Sequence, residues 1–452
     1  MKAVKSGDYD LVLIGDSITH CIGDFGGEWA PIKEVWKTYY APRKAINLGY
    51  SGYRTENILW NLKNGELEFK NPPKVFRLLI GTNNLDDQHY KKTHTAKEVF
   101  EGTRAIVDLI RKKYPKSKVL ILRILPSGGS KDKTNYNRKY CRSDKALKAL
   151  HNAGEMTASL ADGKNVFWLD INHVFLNLDG TINSKLMPDL IHPNAAGHEV
   201  MAEAIEPTLA KLLNTKPIIK NPIKNTTLKP VSKLEEDGYD WFARHQLIIE
   251  LKKKINPDLV FIGDSITHGW GGLPESRFKR AKKNTIDKVF SNTKSINMGF
   301  GWDRIQNVLW RIEKGELDKI SPKVVVLNIG TNNTSQTRNA RKNTSTEIVE
   351  GICACVTRIR AKLPDTKIIV MAIFPREKSP EHARRKLINE TNEKLMKQLK
   401  GVAGVTVLDI GSKLTNPNGT ISQEIMPDFC HLSDKGYKIW AESIAPILNS
   451  IE

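Results

Sequence analysis

The feature that most constrains this chain is that it carries the same text twice. Ile14-Gly-Asp-Ser-Ile-Thr-His20 recurs as Ile262-Gly-Asp-Ser-Ile-Thr-His268, and Ile46-Asn-Leu-Gly49 recurs as Ile296-Asn-Met-Gly299. Leu59-Trp60 and Gly65-Glu-Leu67 return as Leu309-Trp310 and Gly315-Glu-Leu317. Ile80-Gly-Thr-Asn-Asn84 returns as Ile329-Gly-Thr-Asn-Asn333. Gly180-Thr-Ile182, Met187-Pro-Asp189 and His192 return as Gly419-Thr-Ile421, Met426-Pro-Asp428 and His431. The order is the same and the offsets barely drift, so the repeat is a duplicated domain and not a short-period solenoid. A length of 452 residues agrees with two domains.

Asn214–Pro230 separates the copies. Its three prolines and many polar residues read as an extended linker without a core of its own. We expect one domain over residues 1–214, a linker over 215–232 and a second domain over 233–452. The copies differ at their starts. Trp241, His245, Ile248 and Leu251 recur at helical spacing ahead of the second copy's first strand, which predicts an amphipathic helix. The first copy has only nine residues there, so we expect it to lack that helix and to begin inside its own fold. Met-Lys-Ala-Val-Lys-Ser-Gly-Asp has no apolar signal-peptide core. An exported protein whose leader has been removed fits the same text, so the compartment stays open.

Five short apolar, β-branched runs occur in each copy. They are Leu11–Ile14, Ala45–Leu48, Val75–Ile80, Val119–Leu125 and Val166–Asp170, then Leu259–Ile262, Ser295–Met298, Val324–Ile329, Ile368–Phe374 and Val405–Ile410. Helix-like stretches such as Ala96–Lys113 and Thr346–Leu363 lie between them. Strands alternating with helices predict a parallel sheet covered on both faces, a three-layer α/β/α sandwich in each copy. Ligands of such sheets bind beyond the carboxyl ends of the strands. The repeated polar motifs fall there: Gly-Asp-Ser after the first strand, Gly49 and Gly299 ending the second, Gly-Thr-Asn-Asn after the third and Asp-x-x-His after the fifth.

Each motif has a plain structural reading. Ser17 and Ser265, taken alone, read as helix caps. Asp189 with His192, and Asp428 with His431, read as neighbouring surface residues. Gly49 and Gly299 read as turn glycines, and Asn83 and Asn332 as Asx-turn residues. Together they have a chemical reading. A serine hydroxyl needs an adjacent base to act as nucleophile. A histidine titrating near neutrality supplies one when a carboxylate fixes its tautomer. Glycine N–H and asparagine amide donors suit the charge that acyl transfer builds on a carbonyl oxygen. Four motifs converging on one rim, in both copies, are not explained by packing alone.

The other residues are less informative. Arg54 and Arg304 match between copies and suit either substrate contact or a structural salt bridge. Trp60 and Trp310 read as core, and His20 and His268 as helix or pocket residues. The five cysteines form no C-x-x-C pair, and no metal-ligand spacing of histidine or cysteine occurs, so neither a disulfide scaffold nor a metal site is expected. No apolar run reaches the length of a membrane span, so no integral membrane segment is expected. The net charge of +20 is spread along both copies without a basic block, a pattern of a solvated surface and not of a nucleic-acid site. The sequence sets no oligomeric state.

On these blocks both copies resemble the SGNH hydrolases, also called GDSL esterases, with Gly-Asp-Ser-Ile in place of the usual Gly-Asp-Ser-Leu. The second copy is especially similar to the catalytic subunits of intracellular platelet-activating factor acetylhydrolase, through Asn297-Met-Gly-Phe-Gly, Val308-Leu-Trp-Arg and His431-Leu-Ser. It looks equally like bacterial carbohydrate acetylesterases. The resemblance implies two tandem flavodoxin-like sandwiches, each a serine esterase with no metal and no cofactor. It makes Ser17 the nucleophile, His192 the base and Asp189 its orienting partner, with the Ser17 and Gly49 N–H groups and the Asn83 side chain as oxyanion hole. Ser265, His431, Asp428, Gly299 and Asn332 take the same roles in the second copy. The implied substrate is a small-molecule or oligosaccharide ester carrying a short acyl group, with acetylated or lysophospholipids as the alternative. Departures such as Cys21-Ile22 against Gly269-Trp270 imply a different acyl pocket in the first copy, and a first copy that serves as a binding module is a further alternative.

Overall fold

The computed structural model describes residues 2–23, 32–129, 132, 141–222, 224–282, 285 and 293–449. Two compact units divide the chain, one of residues 1–177 and 181–222 and the other of residues 178–180 and 223–452. Each is built on five parallel strands. The first unit holds β1 (Leu11–Gly15), β2 (Ala45–Gly49), β3 (Val75–Leu79), β4 (Lys118–Leu122) and β5 (Val166–Leu169) in the order β2-β1-β3-β4-β5. The second holds β6 (Leu259–Gly263), β7 (Ser295–Gly299), β8 (Val324–Asn328), β9 (Lys367–Met371) and β10 (Val405–Leu408), paired in the equivalent order β7-β6-β8-β9-β10.

Alternation along the strands sends side chains to two cores per unit. In the first unit Val12, Ile14, Phe76 and Leu78 pack against Ile58, Ile106 and Ile110 of the helices Thr55–Asn61 and Ala96–Lys113. Leu11, Leu13, Val75 and Leu120 face Ile18 and the helix Ala195–Leu213 on the other side. The second unit repeats this: Val260, Ile262 and Val325 pack on the helices Ile305–Glu313, Ser345–Lys362 and Ala383–Leu399, while Phe261, Val326 and Met371 pack on Asp434–Asn449. Each unit is therefore a three-layer sandwich. The long helix after β3 starts at a reciprocal cap in both units, Thr95 with Glu98 and Thr344 with Glu347.

Three expectations need correction. The first unit does carry a leading helix, the single turn Lys2–Ser6 with Val4 buried, where the second has Trp241–Ile255. Trp310 packs against Trp241 and His245 of that longer helix, with ring centroids 5.4 and 5.2 Å apart. Its counterpart Trp60 has no such cover and is 65 % exposed, so it is not a core residue. The later part of the linker is also not free chain. Thr226–Leu228 forms a helical turn, the Thr227 hydroxyl donates to Glu347 O at 2.8 Å, and Val231 N–H donates to Gln306 O at 3.1 Å.

Candidate active site

The strand order runs one way from β1 to β2 and the other way from β1 to β3, and the crevice beyond the carboxyl ends of strands at such a switch is where doubly wound sheets bind ligands. Both serines lie there. β1 ends at Gly15, where a Cβ would stand 2.4 Å from Leu79 O, so only glycine lets the chain turn beside β3. Asp16 then caps the short helix Ser17–His20 by accepting the Ile18 N–H at 3.0 Å. Asp264 does the same for Ser265–His268, at 2.9 Å from Ile266 N. Burial pushes these carboxyls up, Asp16 to about 6 and Asp264 to about 7.

The fifth strand's loop brings the histidine over. Asp189 Oδ1 accepts the N–H groups of Ile191 (3.0 Å) and His192 (2.7 Å), and its Oδ2 lies 2.6 Å from His192 Nδ1. His192 Nε2 is 2.8 Å from Ser17 Oγ. The second unit has the same chain of contacts: Asp428 Oδ1 accepts from Cys430 and His431 N–H, Oδ2 is 2.8 Å from His431 Nδ1, and His431 Nε2 is 2.8 Å from Ser265 Oγ. The tight loop is closed by left-handed residues, Leu190 (φ 68°) and Phe429 (φ 56°). Burial pulls Asp189 and Asp428 up, but hydrogen bonds from the histidine's ring and N–H outweigh it and hold both below the ordinary carboxylate value. Burial lowers His431, against the opposing pull of Asp428.

Gly49 and Gly299 do not stand as the sequence suggests. Their N–H groups donate to Asn47 Oδ1 and Asn297 Oδ1, each at 2.8 Å, and so have no hydrogen left for an oxyanion. Glycine is required there for another reason: a Cβ would sit 2.4 Å from His20 N in one unit and 2.3 Å from His268 N in the other. The second strand thus presses against the serine-bearing turn. Asn47 Nδ2 then ties that turn down, donating to Thr19 O (2.7 Å) and Ile22 O (2.6 Å), and Asn297 holds Thr267 O and Gly271 O likewise. Sequence reasoning missed these clamps, although both asparagines sit inside a repeated block.

Asn83 and Asn332 do face the crevice loop. Asn83 Nδ2 donates to Tyr53 O at 2.9 Å, and Asn332 Nδ2 to Asp303 O at 3.0 Å. The residue before each acceptor, Gly52 (φ 76°) or Trp302 (φ 63°), is left-handed. Among the described residues neither the Gly52 nor the Trp302 N–H has a hydrogen-bond partner. The matched arginines are latches: Arg304 donates to Ser335 O and Arg341 O, and Arg54 to Lys92 O. His268 Nε2 lies 2.7 Å from Ser276 Oγ, burial lowers the ring to about 3, and His20 Nδ1 accepts from Ser51 N–H. Among the described residues no group of three His, Cys, Asp or Glu side chains stands together as metal ligands, and no helix is long and apolar enough to cross a membrane.

A family model described as the GDSL-like lipase/acylhydrolase family matches residues 13–200 and again 261–439, most of the chain and once per unit. The chain belongs to that family. As a GDSL acylhydrolase it is a carboxylic ester hydrolase. It is 34 % identical over 198 residues to the human platelet-activating factor acetylhydrolase IB subunit alpha2, a match covering 44 % of this chain and 78 % of the relative. The human alpha1 subunit is 33 % identical over 218 residues, covering 48 % and 85 %. Among solved structures, an acetylxylan esterase from Geobacillus stearothermophilus aligns with 22 % identity and a TM-score of 0.34, over 49 % of this GDSL acylhydrolase and all of that chain.

Proposed function

We propose that both units are serine acetylesterases acting through an acyl-enzyme, with carbohydrate esters as substrates. The Ser–His–Asp relay, with Ser–His separations of 2.8 Å in both units, carries the reading. Ser17 or Ser265 attacks the ester carbonyl carbon while His192 or His431 takes the hydroxyl proton at Nε2. Asp189 or Asp428 holds the ring with Nδ1 protonated and stabilises the cation that forms. The tetrahedral oxyanion is received by the serine N–H, the Asn83 or Asn332 amide and the N–H of Gly52 or Trp302, in place of Gly49 and Gly299. The histidine returns its proton to the departing alkoxide, and water, activated by the same base, then releases the acid and frees the serine.

The acetyl group is favoured by the acetylhydrolase names of the relatives that are 33–34 % identical. The carbohydrate acceptor is favoured by the likeness of the second copy's motifs to carbohydrate acetylesterases. Those relatives' names also favour a second reading, an acetylated phospholipid. Acetate release separates the two, measured on acetylated oligosaccharides and on vesicles containing an acetylated phospholipid. The wild type and the Ser17→Ala and Ser265→Ala variants are compared. Turnover of oligosaccharides by all three proteins is expected. Turnover of the vesicles alone selects the lipid reading, and no acetate from either overturns both.

A further inference from the structure

Trp302 is the one active-site loop position where the two units differ from glycine to the largest side chain. We infer that its indole is a platform for the ring of the acyl acceptor, so that the second site is specialised for pyranose esters while the first accepts esters of any shape. The inference rests on the esterase reading above and deepens it.

Three observations carry it. The first is conformational. Position 302 needs a left-handed backbone, which Gly52 adopts freely in the first unit and which a bulky side chain adopts only at a cost. The tryptophan is held there against local preference, and strain of this kind collects at functional sites. The second is packing. Trp241, Trp270 and Trp440 are buried, and Trp310 packs against Trp241, whereas Trp302 is 39 % exposed and, among the described residues, its ring pairs with no other aromatic ring and no cation. The core therefore does not account for it. The third is place. Gly299 lies against the turn that begins at Ser265, and Asp303 O is held by Asn332. Trp302 lies in the chain between these two anchors, next to the residue whose carbonyl Asn332 holds, and its side chain is part-exposed.

A flat apolar face beside a nucleophile selects an alcohol that also has one. The C–H face of a pyranose stacks on an indole without needing charge, while a small acyclic alcohol covers too little of the ring to benefit. Binding sites gain most of their selectivity from such apolar walls with a few polar groups to orient the ligand.

The test uses the full chain with Ser17→Ala, so that only Ser265 turns over. The readout is the ratio of kcat/KM for a mono-acetylated methyl pyranoside to that for ethyl acetate. Trp302→Gly is expected to lower this ratio about tenfold, through KM for the pyranoside. Trp302→Phe is expected to keep it within about threefold, since a flat ring remains. Gly52→Trp in the Ser265→Ala chain is expected to raise the first site's ratio. An unchanged ratio in Trp302→Gly, in a protein that melts no lower than its parent, overturns the platform. A parent that hydrolyses neither ester overturns the esterase reading itself.

Discussion

The two units present nearly the same catalytic rim on differently built interiors. Behind the β7 loop, Arg311 donates to Asp303 Oδ2 at 2.8 Å and pairs with Glu316, which also contacts His245 at 2.9 Å. Trp241 Nε1 donates to the other Asp303 oxygen at 2.7 Å. The first unit fills the same place with less charge: Tyr53 replaces Asp303, Asn61 replaces Arg311, and Tyr50 stacks on Tyr53 at 4.8 Å and donates to Glu66. On the opposite face the contrast reverses. Arg77, in the middle of β3 and fully buried, donates to Thr19 Oγ1 at 3.0 Å, and among the described residues its Nε and Nη1 have no partner. Nearby Cys21 Sγ lies 3.2 Å from His198 Nε2. The second unit has Val326 in β8 and a tight aromatic group, with Trp270 and Trp440 centroids 4.1 Å apart. The rim survives this repacking because the strand ends, the Asn47 and Asn297 clamps and the Asp-x-x-His loop set its geometry through backbone contacts.

That comparison treats the two rims as independent machines. The sharpest way to break it is to remove a base from one unit at a time. In the Ser17→Ala chain, His431→Ala is expected to cut residual esterase activity by about 10⁴, whereas His192→Ala is expected to change it little. Loss from His192→Ala in that background would mean that the units share one site. Complete loss of activity on Ser265→Ala alone would instead make the first unit a binding module.

The two buried arginines should then respond in opposite senses. Arg311→Met strands Asp303 and Glu316 without their cation and is expected to destabilise the second unit by about 3–5 kcal/mol, read by chemical denaturation. Arg77→Met removes a guanidinium with two unmet donors and is expected to stabilise the first unit by about 1 kcal/mol. A loss of stability in that variant would show that Arg77 has a partner the comparison has missed.

A smaller effect concerns pH. Burial holds His431 below its ordinary value of 6.5. The base must be neutral to accept the serine proton, so activity falls as pH drops through the histidine pKa. In the Ser17→Ala chain, the acid limb of kcat/KM should therefore have its midpoint below 6.5. A midpoint above 6.5 would mean that the carboxylate's pull outweighs burial.

Much of this was legible in the text. The strands were, because buried parallel strands are continuous apolar runs, and all ten lie within a few residues of the expected ranges. The serine, aspartate and histidine were legible because they are polar residues that recur with their flanks, and the structure brings their side chains together. What the text hid is carried by backbone. Which N–H stays unpaired depends on local turn conformation: those of Gly49 and Gly299 are taken by Asn47 and Asn297, while those of Gly52 and Trp302 meet no partner among the described residues. A left-handed residue announces itself as glycine in one unit and is masked by tryptophan in the other. Trp60 and Trp310 have matching local sequence, yet their exposure is decided by a helix elsewhere in the chain.

The most direct measurement is covalent labelling of the wild-type chain with an organophosphonate ester, followed by peptide mass spectrometry. Two activated hydroxyls predict adducts on both Ser17 and Ser265, each abolished by alanine in place of its own histidine, His192 or His431. A fully inhibited protein carrying label on neither serine would contradict the account.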